Sequence, residues 1–350
     1  MNAVVLTQQT PAGGKVADSI AAVTDWPEPA EPGPGEALIR TECSALNHMD
    51  IWVGLGIPGV NLTYPRVSGC DACGTVERVG PSVDPAWIGK RVMLNAAYSV
   101  HRPTRPSDPP ATAYIPDLEL IGEHIHGVHR ERFTAPAANL AWIGDVPAPD
   151  AAAFGLTFLT AWSMMCVKGH LRPGQSVLIT GIGGGVALAA LAIARWMACP
   201  VAVTSRHQWK LDRAKALGAE FAVLDTGEDW SKQVRTWTNG RGVDMAVDST
   251  GKPSHLACIK SLARGGAYVT PGNTAGPAAT TDLARIFWNQ LRVLGSTMGT
   301  SDELRELAAL LRAERLAPVV DSVVPWRDAA RAWARLESAA QFGKIVIDWR

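Results

Sequence analysis

The sequence predicts an α/β protein made of a β-rich part and a doubly wound parallel sheet. Three observations carry that expectation. The chain has 350 residues, room for two domains of the usual ~100–200 residues. Its texture changes near residue 151, from Pro- and Gly-rich short β-type runs to alternating apolar and helical stretches. Within the second part, "SVLITGIGGGVALAALAIARWMA" sets a glycine-rich turn between a strand and a helix.

The first part contains "EALIRTECSAL", "CGTVERVG", "RVMLN" and "RFTAPA". Short strands between turn signals are the pattern of a barrel- or sandwich-like β domain. The segment 101–117, "HRPTRPSDPPATAYIPD", holds five prolines and is expected as a long surface loop, because each proline removes a backbone donor. From 151 onward, "SVLIT" (176–180), "PVAVTS" (200–205), "FAVLD" (221–225), "GVDMAVDST" (242–250), "GGAYVTPG" (265–272) and "LRVLGSTMG" (291–299) alternate with helical stretches. That rhythm predicts a parallel sheet with helical crossovers. The C-terminal "FGKIVIDW" is β-like and is expected to rejoin the first domain. The expected domains are therefore 1–150 completed by 322–350, and 151–321.

Composition narrows the function. At 47% hydrophobic and 19% charged residues the chain can bury sizeable cores, which excludes global disorder. The net charge of zero gives no electrostatic reason to bind nucleic acid or an anionic membrane, so a small-molecule partner is expected. No signal-peptide pattern is present, and no window reaches the roughly 20 apolar residues of a membrane span. Val177–Ala198 comes nearest, interrupted by Thr180, Arg195 and several glycines. Six cysteines in so long a chain do not read as a disulfide framework. A soluble, reducing, cytoplasmic setting is the expectation.

In the glycine turn, Gly183, Gly184 and Gly185 lack the Cβ that would keep backbone amides from a pyrophosphate. The helix that opens at Val186 adds favourable partial charge. Ala187 stands where a last glycine is usual and is small enough to keep helix and sheet close. About 20 residues on, at the end of the next strand, an Asp or Glu commonly receives the ribose 2′-hydroxyl of NAD. Here the chain has Ser205-Arg206-His207, with Lys210 one turn later. Without the acid a 2′-phosphate is not repelled, and a guanidinium suits it bidentately. NADP(H) is the expected cofactor.

With these two parts placed, the chain resembles the medium-chain dehydrogenase/reductase superfamily over nearly its full length. The resemblance rests on "GEALIRTECSALNHMDIW", "SGCDACGTVERVG", "IGKRVMLN", "AAAFGLTFLTAW", "LRPGQSVLITGIGGGVA", "KLDRAKALGAE", "GRGVDMAVDSTG", "GGAYVTPG", "LGSTMGT" and "QFGKIVI", in that order. It implies a GroES-like β-rich catalytic domain, a Rossmann cofactor domain, an active site in the cleft between them, and a homodimer formed through "LRVLGSTMG". In zinc alcohol dehydrogenases of the superfamily the catalytic metal is held by Cys, His and Cys with a Glu nearby. At those positions this chain has Asn47, Cys70, Leu156 and Asp71. Catalytic zinc needs about three protein donors, so no metal is expected. The family's structural-zinc cysteines are also missing.

The pair in "CDAC" reads as neither knuckle nor redox motif. On extended chain Cys70 and Cys73 point to opposite faces. No second ligand pair is evident among Cys43, His48 and the His124, His126, His129 run, and a redox CxxC would open a helix. Cys73 is expected as a small buried residue. In zinc-free relatives, the quinone oxidoreductases and enoyl or alkenal reductases, the resemblance implies hydride transfer from NADPH to a conjugated acceptor. The catalytic candidates are then Asn47, with an amide for the carbonyl or a role as helix cap, and His48, the nearest proton carrier. Asp50 either orients His48 or sits as a first-turn acid. By resemblance Thr160, Thr250 with Gly251, Gly272, Asn273 and Lys344 would adjoin the cofactor, and Trp52 would pack an aromatic substrate. Two other readings stay open: an alcohol dehydrogenase with an irregular zinc site around Cys70, and a non-catalytic NADPH-binding structural or sensing protein.

Overall fold

The computed structural model describes residues 1–99 and 118–350, so the proline-rich segment 101–117 lies outside the described residues. Contacts divide the chain into two units, residues 1–156 with 299–350, and residues 157–298. The chain rejoins the first unit at 299, well before the expected 322. The reason is the helix Ser301–Arg312, which packs on the strand Leu140–Trp142. Arg312 Nη1 donates to Trp142 O at 2.6 Å, and Asn95 Nδ2 donates to Gly299 O at 3.0 Å.

The first unit is built on a seven-stranded sheet. It contains β1 (Glu36–Ala45) and β2 (Asp71–Val79), which pair antiparallel, and α1 (His48–Leu55) follows β1 directly. On the other side of β1 lies the strand Lys344–Asp348, also antiparallel. The order is Val320–Pro325, Lys344–Asp348, β1, β2, Arg91–Leu94, Leu140–Trp142, with Arg132–Pro136 also on β1. Buried Ile39, Val76, Phe133, Ile345 and Trp333 fill the core beneath it. The "FGKIVIDW" stretch thus does come back beside β1, where the consecutive apolar residues Ile345, Val346 and Ile347 are buried.

Residues 148–168 form a helix that begins as α2 (Ala148–Trp162) and ends in a π-helical stretch. This helix, rather than Val177–Ala198, is the segment long and apolar enough to cross a membrane, with mean hydropathy 1.3. In the fold 72% of that window is buried inside the protein, as a core helix requires.

The second unit carries β3 (Val177–Ile179), α3 (Gly185–Trp196), β4 (Val201–Ser205), α4 (Gln208–Ala216), β5 (Phe221–Leu224), β6 (Val243–Val247), β7 (Leu262–Thr270), α5 (Leu283–Trp288) and β8 (Arg292–Gly295). The strands pair in the order β5-β4-β3-β6-β7-β8, every pair parallel. This is the doubly wound dinucleotide order, whose direction reverses between β3 and β6. The runs of β3 and β4 are buried throughout, as parallel strands covered by helices on both faces must be. Ala187 is 3% exposed, so the small side chain does let α3 lie against the sheet. At the free edge, Leu283, Phe287 and Trp288 of α5 are about 70% exposed beside β8.

Candidate active site

Strand register assembles a charged cluster in the first unit. Ala45 pairs with Asp71 on one side and Val346 on the other. Two residues further along β1 the backbone reaches Asn47, and two residues back from Val346 stands Lys344. Because side chains repeat every second residue, Asn47, Asp71 and Lys344 meet at one end of the sheet. Lys344 Nζ donates to Asn47 Oδ1 at 2.6 Å and to Asp71 Oδ2 at 2.9 Å. Asn47 Nδ2 donates to Asp71 Oδ2 at 3.0 Å and approaches Cys70 Sγ and Ala45 O at 3.4 Å. The remaining carboxylate oxygen, Asp71 Oδ1, accepts from the Leu156 amide at 2.7 Å. A Cβ on Gly155 would stand 2.7 Å from that oxygen, so glycine there is what lets the helix backbone close on it. Asp71 is 1% exposed and Lys344 4%.

Lys344, expected near the cofactor, is the cation of this buried cluster. Two other expectations change. Asn47 does occupy the N-cap position of α1, yet its amide hydrogens are turned to Asp71, Cys70 and Ala45, not held free for a carbonyl. Asp50 does not orient His48. Its Oδ2 accepts from the Asn47 amide at 2.8 Å, and its Oδ1 lies 3.3 Å from His129 Nε2, both side chains fully buried. Burial would raise the Asp50 pKa. The His129 charge and hydrogen bond, with those of the Asn47 amide and Ser68, outweigh it and hold the carboxyl below its usual range. His129 Nδ1 in turn meets Ser44 Oγ at 2.8 Å.

His48 is exposed on α1 and its ring meets Trp52 edge-on at 5.2 Å, so Trp52 packs a histidine. Desolvation by the surrounding protein lowers the His48 pKa, favouring the neutral ring. His124 Nδ1 accepts from Leu120 N at 3.1 Å, and His126 packs edge-on against Trp26 at 5.4 Å. The histidine run therefore disperses into local roles. Cys73 lies opposite Cys43 in the β1–β2 register and is 1% exposed, a packing residue as expected. Burial drives the Cys70 and Cys73 thiols well above their ordinary pKa. The six cysteines are all free.

These residues do not fit a catalytic zinc ion. No group of three His, Cys, Asp or Glu side chains comes together among the described residues. Burial raises the Cys70 pKa, which disfavours the thiolate that zinc binds. The Asp71 carboxylate is already paired with an ammonium 2.9 Å away, which would repel a dication. The ammonium supplies the positive charge that a metal would have brought.

The second unit presents a phosphate-binding turn. Gly181 and Gly183 take φ of 62° and 119°, conformations that side chains other than glycine rarely adopt. Gly184 caps α3 in extended conformation with no side-chain bond to the first-turn amides, leaving them directed at whatever anion arrives. Gly185 and Val186 open that helix. These features fit a dinucleotide pyrophosphate. Ser205 and Arg206 follow at the end of β4, Arg206 exposed and Ser205 Oγ accepting from His207 N at 3.1 Å. The Lys210 stem folds over the glycine turn, where a Cβ on Gly183 would stand 2.8 Å from Lys210 Cδ. Thr160, expected at the cofactor, is 5% exposed and donates to Met298 Sδ at 3.8 Å.

Sequence reasoning missed the carboxylate that organises this site. Asp248, fully buried at the end of β6, accepts from Thr180 Oγ1 at 2.5 Å, Thr250 N at 2.9 Å, Ser254 Oγ at 2.8 Å and Tyr268 Oη at 2.9 Å. It thereby ties together the ends of β3, β6 and β7 at the switch point. The available signal was an Asp ending the apolar run "GVDMAV". Thr250-Gly251 and Gly272-Asn273 are brought together: a Cβ on Gly251 would stand 2.9 Å from Asn273 Cβ. A cavity of about 700 Å³ opens beside them, lined by Gly251, His255, Tyr268, Thr270, Gly272 and Asn273 among others.

Comparison with known proteins agrees with this construction. Residues 33–145 match the alcohol dehydrogenase GroES-like domain and residues 185–313 the zinc-binding dehydrogenase domain. A solved NAD-dependent alcohol dehydrogenase is 37% identical, with TM-score 0.90 and full coverage of both chains. A mycobacterial quinone oxidoreductase structure is 26% identical, with TM-score 0.79 and 99% coverage of both. The zinc-type alcohol dehydrogenase-like protein YogA of Leptosphaeria maculans is 29% identical over 91% of each chain. The chain belongs to the medium-chain dehydrogenase/reductase superfamily of oxidoreductases, with a GroES-like domain and a Rossmann-type sheet. Within it the chain is an enzyme of the alcohol dehydrogenase-like kind, whose members bind a nicotinamide cofactor.

Proposed function

We propose that this protein is a zinc-independent, NADPH-dependent reductase that transfers hydride to a quinone, an enone or enal, or a related activated carbonyl. One observation carries the reading: an internal ammonium, Lys344, is seated on Asn47 and Asp71 where the family's metal ligands would stand. A simple alcohol gives up hydride readily only when its alkoxide is stabilised by a strong Lewis acid. A conjugated acceptor spreads the incoming charge and demands less. The quinone oxidoreductase among the similar structures is consistent with that choice.

NADPH, when bound, supplies the hydride from its nicotinamide ring. The chain's own contributions are separable. The turn at Gly183, Gly184 and Gly185 with the α3 amides takes the pyrophosphate. Arg206 takes the 2′-phosphate at the end of β4, a choice that differs from the NAD named for the 37% identical structure. Asp248 holds Thr180 and Thr250 in place. His48, neutral and exposed, is a route for protons to and from water. We also propose that the protein works in the cytoplasm as a homodimer joined along β8, where the exposed Leu283, Phe287 and Trp288 form an apolar border to an open sheet edge.

The test is a rate comparison on purified protein with NADPH or NADH and with cyclohexenone, hexenal or menadione as acceptor. Oxidation of NADPH by at least one acceptor, with NADH weaker and zinc without effect, is the expected result. Alcohol oxidation that needs near-stoichiometric zinc overturns it in favour of an irregular zinc enzyme. Tight NADPH binding with no oxidation overturns it in favour of a sensing role.

A further inference from the structure

We propose that the second unit holds a ligand site apart from its glycine turn: the cavity beside His255, which takes a small uncharged molecule carrying a hydroxyl group on an apolar body. This site lies outside the reductase reading above and does not depend on it. Every wall of the cavity, from Gly251 to Thr297, belongs to the second unit. Its volume of about 700 Å³ falls within the roughly 300–1,000 Å³ of small-molecule sites.

Sheet topology sets the cavity away from the pyrophosphate turn. α3 carries the chain from β3 to β4, and the helix His255–Ser261 carries it from β6 to β7, in the opposite direction along the sheet. Parallel crossovers keep one hand, so the two helices cover opposite faces. The packing agrees. Tyr268 shares a core with Cys258 and Ile259 of His255–Ser261 and with Ile286 of α5, and that core contains no residue of α3. The cavity opens on this second face, between His255, Tyr268 and Ile286.

Two hydroxyls at the cavity are already spent inside the protein. Tyr268 Oη donates to Asp248 Oδ2 at 2.9 Å, and Thr270 Oγ1 donates to Gly272 O at 2.8 Å. His255 is not spent. Its ring meets Tyr268 edge-on at 4.7 Å, and the residue is only 9% exposed. Yet among the described residues its nitrogens have no hydrogen-bond partner, and neither is sealed off by protein. A polar ring buried to this degree without a partner costs stability, and a ligand hydroxyl supplies the missing bond. Desolvation lowers the His255 pKa, and the Asp248 charge offsets that only in part, which favours the neutral ring. A neutral imidazole offers one donor and one acceptor. A hydroxyl both gives and takes, so it fits whichever nitrogen carries the proton. Among the described residues no Asp, Glu, Lys or Arg lines the cavity, so a charged ligand would lose its water without a counter-charge. Ile286, Leu291 and Val293 supply the apolar wall.

The probes are 2-naphthol, naphthalene, which has the same body without the hydroxyl, and 2-naphthoate, which carries a charge. Equilibrium dialysis measures each on the purified protein, with and without saturating NADPH or NADH. 2-Naphthol is expected to bind at one site per chain whether or not the cofactor is present. It should bind about tenfold tighter than naphthalene, the worth of one hydrogen bond, and about tenfold or more tighter than 2-naphthoate. His255→Phe keeps an aromatic ring against Tyr268 and removes both nitrogens. It should bring 2-naphthol down to the affinity of naphthalene while leaving cofactor affinity unchanged. On wild type, where no variant is needed, the ring ¹⁵N resonances of one histidine should shift far more with 2-naphthol than with naphthalene. Displacement of 2-naphthol by the cofactor overturns the assignment, since the cavity then belongs to the cofactor. Equal affinity for 2-naphthol and naphthalene, 2-naphthol binding that His255→Phe leaves unaltered, or histidine resonances that do not respond each overturn it as well. A protein that binds 2-naphthol as described but reduces no acceptor overturns only the reductase reading.

Discussion

The Asn47–Asp71–Lys344 cluster of the first unit and the glycine turn of the second both handle charge, and they do so in opposite ways. In the cluster almost every donor and acceptor is spent inside the protein: carboxylate, amide and ammonium close on one another and on the Leu156 amide. In the turn the donors are left open. Gly184 offers no side chain to cap α3, and Arg206 stands exposed at the end of β4. The first arrangement carries its own counter-ion, and the second waits for one. Removing a group should therefore be felt as lost stability in the first unit and as lost ligand affinity in the second.

The largest effect is expected at Lys344. Lys344→Met alone strands Asp71 as a buried carboxylate, and breaking such a pair from one side costs about 3–5 kcal/mol. Chemical denaturation should register that loss, and adding Asp71→Asn should restore most of it. If the single variant is within 1 kcal/mol of wild type by that measure (about a fifth to a third of the cost of breaking a buried pair), the cluster is not closed in the sense argued.

The second unit should answer differently. Gly183→Ala forces a side chain into φ of 119° and against Lys210. A strained residue of that kind costs about 1–3 kcal/mol, but the sharper consequence is displacement of the turn. NADPH affinity should drop more than tenfold by fluorescence titration. Arg206→Glu should leave stability unchanged. It should weaken NADPH about 10- to 100-fold, the worth of a hydrogen bond to a charged group, while NADH binds as well or better. Equal losses for both cofactors would show that Arg206 does not read the 2′-phosphate.

The contrast also explains what could be read from the sequence. The glycine turn is legible because its physics is local: strand, glycines and helix are contiguous, and β3 falls within the expected "SVLIT". The six parallel strands were readable for the same reason. The cluster is dispersed over residues 47, 70, 71, 156 and 344. Resemblance located the first four as the places of lost ligands, but nothing local in "FGKIV" says that Lys344 pairs with Asp71. That depends on β1 receiving partners on both edges at Ala45, a register no short stretch encodes. His129 shows the same limit. It was one of three histidines in a run, and only the fold separates it as the buried partner of Asp50. The early return to the first unit at 299 was hidden because the Ser301–Arg312 helix looks like one more crossover.

The Asp50–His129 pair gives the first unit a pH signature. The Asp50 pKa is lowered in the folded state, so its contribution is complete above the ordinary carboxylate range and is lost as pH falls through the folded value. Thermal unfolding of wild type should therefore worsen more steeply on acidification than that of Asp50→Asn. Parallel curves for the two proteins would mean that the pair adds no stability.

The smallest expected effect is that of removing metal, and it bears directly on the comparison. If the first unit carries its own cation, dialysis against a chelator should leave both melting temperature and NADPH oxidation unchanged, because no divalent ion is needed where Lys344 already sits 2.9 Å from Asp71. Added zinc should be equally without effect on wild type. Burial raises the pKa of its Cys70 thiol, and the Asp71 carboxylate is already paired with Lys344. A fall in melting temperature on chelation, reversed by zinc, would mean that Asp71 exchanges its ammonium for a metal in solution. The two units would then differ only in which ligand each awaits.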